Sequence, residues 1–85
     1  MDSVSSNVKE YILGAFLPDA NPAELTESTP LISGGILDSL ATVRLVSYLE
    51  DHYRIEIAAY EANVDNLDNL QLIANLVQSK LQPAG

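Results

Sequence analysis

Cysteine is missing from this chain, basic residues are scarce, and no long apolar run occurs. Without cysteine there can be no disulfide, no thiolate nucleophile and no Cys-ligated metal. Four Lys and Arg stand against 12 Asp and Glu, a net charge of −8. Binding nucleic acid needs a basic stripe to neutralise phosphates, so the charge argues against a nucleic-acid partner. No apolar stretch approaches the ~18 residues of a membrane span, and Met1 to Lys9 carries no basic cluster. Neither a membrane partner nor a signal peptide is expected, and the cytoplasm is the expected location. The lone histidine, His52, has no companions for a metal site, and the carboxylates match no calcium-loop spacing. Internal repeats and low-complexity tracts are also absent.

What is present is enough for one small core. Eighty-five residues, 47% of them hydrophobic, make a single domain over 1–85, with 1–4 and 82–85 expected to fray. A chain of this size buries only about 60–65% of its unfolded surface, and without staples it depends on packed helices. Val4, Val8, Tyr11, Ile12, Ala15 and Phe16 recur at helical spacing and predict a first helix over about 5–16, stopped by Pro18 and Pro22. A second helix opens at Asp38 or Ser39, with Leu40, Val43, Val46, Leu49 and Tyr53 as its expected buried stripe. The last starts near Asp65 or Asn66, with Asp65 and Asp68 resembling a capping pair. Its stripe is Leu67, Leu70, Ile73, Ala74, Val77 and Leu81, and Pro83 lies beyond its end. Ile55-Glu56-Ile57 alternates like a strand but has nothing to pair with. It reads as an extended linker into a short helix around Ala59 to Asn63. The connection from Leu17 to Leu37 is long for a compact domain. Leu25, Leu31, Ile32, Ile36 and Leu37 are expected to pin it across the bundle. The fold class is all-α: a four-helix bundle of three long helices and one short, with a long first loop.

One stretch stands out, "GGILDSLATVRLV", residues 34–46. Asp38 is a good helix cap, and Ser39 would then sit in the first turn. Ser39 as a hydrolytic nucleophile fails on geometry. A base must lie within hydrogen-bond reach, and His52 is thirteen residues further along the same helix, about 20 Å away. No Gly-x-Ser-x-Gly elbow exists either. His52 is expected on the solvent side, and Tyr11, Tyr48, Tyr53 and Tyr60 as core or rim aromatics. From the tripeptide alone, Ser39 could be a capping residue and nothing more.

The wider stretch "PLISGGILDSLATVRLVSYLEDHYRIEI" resembles the carrier-protein family of acyl, peptidyl and stand-alone aminoacyl carriers. The likeness spans the first helix, the long loop, "GGILDSL", "TVxLVxxLE", the "IEI" linker and the final amphipathic helix. The pattern "GILDS-x-A-T-V-x-L" looks closest to the stand-alone aminoacyl carriers, while "DSL" is typical of acyl carriers. The resemblance implies a carrier-protein fold, no enzymatic activity of its own, and 4′-phosphopantetheine held on Ser39 through a phosphodiester. Asp38 and Leu40 flank that attachment point. Cargo would ride as a thioester on the far end, which suits a chain with no thiol. A serine at a helix N-terminus also sets its phosphate against free N–H groups and the positive dipole end. Gly34 and Gly35 would keep the approach open.

The implied partners of this monomer are a phosphopantetheinyl transferase, an adenylating or loading enzyme, and an acyltransferase or downstream synthase. Their docking surface would comprise Leu40, Arg44, Ser47, Glu50 and Asp51, with Tyr60 and Glu61 on the short helix. Here the chain departs from generic acyl carriers, which are acidic two and five positions after the serine: it has Ala41 and Arg44. That disfavours fatty-acid synthase enzymes and favours a dedicated partner with an acidic or polar residue opposite Arg44, unless Arg44 merely pairs with Tyr48 or Glu50. The implied setting is polyketide or nonribosomal-peptide biosynthesis with an aminoacyl or peptidyl cargo. A fatty or polyketide acyl cargo is the alternative. A reading from another class is an acidic helical adaptor with no prosthetic group, which the charge alone would support.

Overall fold

The computed structural model describes residues 3–81. The described residues form four helices, α1 (Ser3–Phe16), α2 (Ser39–Tyr53), α3 (Val64–Leu67) and α4 (Leu70–Leu81), with 3-10 turns at Pro22–Glu24 and Ala59–Glu61. Among the described residues there is no strand, and no helix is long and apolar enough to cross a membrane. The expected all-α bundle of three long helices and one short is therefore what the chain forms. Residues 1 and 2 and residues 82–85, with Pro83 among them, lie outside the described residues, while Val4 is already buried within α1.

α4 is the element that touches all the others, packing on α1, α2 and α3. It buries Leu70, Ile73, Ala74, Leu76 and Val77, against which α1 sets Val4, Val8 and Ile12. Ala15 and Leu81, expected in these stripes, are exposed instead. The larger correction is in α2. Its buried residues are Ala41, Leu45 and Leu49, whereas Leu40 and Val43 stay 62% and 61% exposed. Both sets have helical spacing, so periodicity alone does not choose between them. The choice is made by which face meets the neighbouring elements.

The expected last helix is broken in two. α3 ends at Leu67 with Asp68 as its C-cap, and Asn69 caps α4 by accepting the Leu72 amide at 2.8 Å. Asn63 occupies the N-cap position of α3, so Asp65 and Asp68 do not form a capping pair. Asp68 turns to the long first connection. Its Oδ1 accepts the amides of Ile32 (2.9 Å) and Ser33 (2.8 Å), and its Oδ2 accepts the Ser33 hydroxyl (2.8 Å). Its carbonyl takes the Leu31 amide at 2.6 Å. These bonds, led by the Ser33 amide, hold the Asp68 carboxyl below the usual carboxylate range. With Leu25, Leu31 and Leu37 buried, the connection is packed as expected, and Ile32 and Ile36 are half-buried.

The two glycines before α2 have separate structural reasons. Gly35 has φ +82°, a left-handed conformation that side-chain-bearing residues rarely adopt. A Cβ on Gly34 would run into the Pro30 carbonyl oxygen. After α2, Arg54 takes the left-handed conformation at φ 55°, and its N–H reaches back to the Glu50 carbonyl. Residues 55–58 then run extended without pairing, as expected of a linker, and Ala59–Glu61 forms a single 3-10 turn in place of a short helix.

Candidate functional site

Ser39 is the first residue of α2 and is exposed. Asp38 caps the helix: its Oδ1 accepts the Ala41 amide at 2.8 Å, and its carbonyl accepts the Thr42 amide and hydroxyl. Capping the third amide leaves the first two, on Ser39 and Leu40, with no carbonyl four residues back to bond. An exposed hydroxyl beside two amides that lack an intrahelical partner, at the positive end of a 15-residue helix, suits a phosphate ester. Leu40 projects into solvent beside it.

Ser39 also stands at one end of an open groove of ≈ 890 Å³ between α2 and the segment from Ile57 to Val64. The α2 side is a stripe at helical spacing: Ser39, Thr42, Val43, Val46, Ser47 and Glu50. Ile57, Ala59, Ala62, Asn63 and Val64 form the far wall, and Ile32 and Leu37 contribute from the loop tied down by Asp68. Asp38 and Glu50 bring carboxylates to the lining, and no Lys or Arg does. The far wall is itself anchored. Glu61 accepts the Ala58 amide at 2.9 Å and pairs with Lys80 at 2.7 Å, and the Glu61 carbonyl accepts from the Asn66 side chain. The Lys80 bond, followed by the Ala58 amide, pulls the Glu61 carboxyl below its ordinary range.

The expected docking residues divide into two groups. Leu40, Arg44, Ser47 and Asp51 are exposed on α2, and Tyr60 is 80% exposed across the groove. Arg44 is in no salt bridge with a carboxylate among the described residues. Glu50 and Glu61 are already engaged within the chain, Glu50 through Oε2, which accepts the Ile57 amide at 3.0 Å. The outer side of α2 carries an aromatic seam. Tyr11 stacks on Tyr48 with ring centroids 4.1 Å apart, and Tyr48 stacks on His52 at 5.2 Å. Burial, with smaller contributions from Tyr53, Glu10 and Tyr11, pushes the Tyr48 hydroxyl up. His52 is on the solvent side as expected, and Tyr60 is neither core nor rim. Val43, Ser47 and Glu50 as a groove face were open to sequence reading, since they follow Ser39 at four, eight and eleven positions. The opposite wall, Ala59 to Val64, gave no such signal.

Comparison with known protein families and with curated proteins finds no match for this chain.

Proposed function

We propose that this protein is a carrier that holds an aminoacyl or acyl group as a thioester on 4′-phosphopantetheine at Ser39 and delivers it to partner enzymes. The observation that carries the reading is Ser39 itself: an exposed hydroxyl opening a long capped helix, in the first turn where amides lack intrahelical partners, and lining a groove. The likeness of residues 30–57 to carrier proteins adds to it. On attachment, Ser39 Oγ bonds to the phosphorus of coenzyme A proximal to pantetheine, and the pyrophosphate P–O bond breaks. Adenosine 3′,5′-bisphosphate leaves with the electron pair, and the hydroxyl proton passes to the transferase. The bound group supplies the thiol that this chain lacks.

The chain's own residues then position and present. Asp38 fixes the helix start, the Ser39 and Leu40 amides favour the phosphodiester, and the Asp68 latch keeps Ile32 in the groove wall. Leu40, Val43 and Tyr60 offer exposed apolar contact to partners, with Arg44 seeking an acidic or polar group. The acidic balance of the chain suits weak, fast, electrostatically guided docking. A dedicated biosynthetic partner set, of the polyketide or nonribosomal-peptide kind, fits Arg44 better than general fatty-acid enzymes do.

The test is labelling with a fluorescent coenzyme A by a broad-specificity phosphopantetheinyl transferase. Wild type, Ser33→Ala and Ser47→Ala are expected to label, and Ser39→Ala to be blank while keeping its helical circular dichroism. A folded wild type that takes no label would point to the adaptor without a prosthetic group.

A further inference from the structure

The groove beside Ser39 is lined along α2 as far as Glu50, whose carboxylate belongs to its wall. Glu50 follows Ser39 by eleven positions on the same face of α2, which places the two about 16 Å apart along the helix. A phosphopantetheine arm has thirteen bonds from phosphorus to sulfur, a little more than four extended residues, and so reaches about 15 Å. The groove volume of ≈ 890 Å³ lies within the ~300–1,000 Å³ that small-molecule sites occupy. The polar groups along the way, Thr42, Ser47 and Asn63, interrupt an otherwise apolar lining. Amides in the arm could use such groups, whereas a purely hydrocarbon chain could not.

The far end is marked by Glu50. One carboxylate oxygen accepts the Ile57 amide at 3.0 Å, and no cation among the described residues pairs with the group. No Lys or Arg lines the groove, and Lys80 is paired with Glu61 at 2.7 Å. A partly buried carboxylate facing an apolar groove favours a positive group and disfavours a second negative one.

We propose that Glu50 is a specificity-determining residue that receives the protonated amino group of an aminoacyl cargo, so that the groove selects aminoacyl over neutral acyl thioesters. The inference rests on Ser39 carrying the arm and extends it by naming the cargo class. Glu50 acts on the cargo by charge and by the bond it keeps to Ile57, which fixes the carboxylate against the groove wall.

The experiment loads Ser39 with two coenzyme A analogues whose thioester is replaced by a stable amide, one glycyl and one propionyl. They differ by an ammonium against a methyl group. Intact mass first verifies loading; failure of both analogues to load would remove the carrier reading and this inference together. With both loaded, amide NMR spectra are compared. The glycyl form is expected to move the Glu50 and Ile57 amides severalfold more than the propionyl form, with the excess fading as salt rises. Glu50→Gln retains an acceptor for the Ile57 amide and is expected to abolish the excess while the Leu45 and Leu49 amides stay in place. Equal shifts from the two analogues in wild type would overturn the inference and leave the carrier role standing. So would an excess that survives Glu50→Gln or is unchanged by salt.

Discussion

The two faces of α2 use the same residue types for opposite ends. Towards the bundle, Ala41, Leu45 and Leu49 are almost wholly buried, at 8%, 0% and 0% exposure. Towards solvent and the groove, Leu40 and Val43 keep 62% and 61% of their surface exposed. Hydrophobic burial accounts for the first set and leaves the second unexplained, because an exposed leucine beside an exposed valine contributes little to stability. The second set flanks Ser39, and on the carrier function proposed above it would offer apolar contact to the enzymes that approach that hydroxyl.

If that division is correct, substitutions on the two faces must separate stability from delivery. Leu45→Ala creates a cavity in the core and should cost about 2–5 kcal/mol, read as a melting-temperature drop of at least ~8 °C. The folded fraction should still accept phosphopantetheine. On the other face, the double change Leu40→Ser and Val43→Ser should alter stability by no more than ~0.5 kcal/mol but slow cargo delivery about tenfold. Slowed delivery with a parallel fall in stability would erase the distinction.

Smaller effects sharpen it. If the proposed dedicated partner exists, Arg44→Glu should slow its transfer severalfold, the loss shrinking with added salt. An unchanged rate would take Arg44 out of the interface. The smallest expected effect is in the Asp68 latch. The folded state holds this carboxyl below its unfolded value of ~3.9, so the latch contributes fully above that pH and is lost as pH falls through the lower folded value. The protection of the Ile32 and Ser33 amides, measured against their intrinsic exchange rates, should therefore fall only under acid. Ser33→Ala, which removes one of the bonds to the carboxylate, should move that loss to higher pH.

How far the sequence discloses this molecule depends on what each feature rests on. The helices, the packed long connection and the placement of Ser39 at a capped helix start all follow from local spacing and breakers. The rotation of α2 does not. Leu40–Val43 and Ala41–Leu45–Leu49 are equally periodic, and only the packed neighbours decide which set is covered. The break between α3 and α4 was hidden because Leu67, Leu70, Ile73 and Ala74 keep the helical rhythm across Asn69. Asp68 looked like a cap because its bonds to Ser33 cross 35 residues of chain. The groove was half legible: its α2 stripe follows Ser39 at helical spacing, but its far wall is an irregular segment held by Glu61 and Lys80.

The central claim is that Ser39 exists to be modified, and fragment-level mass spectrometry of the protein co-expressed with a phosphopantetheinyl transferase tests it most directly. One phosphopantetheine per chain, located on Ser39 and absent from Ser39→Ala, is the expected result. A folded protein recovered wholly unmodified, or carrying the group on another residue, would contradict the account.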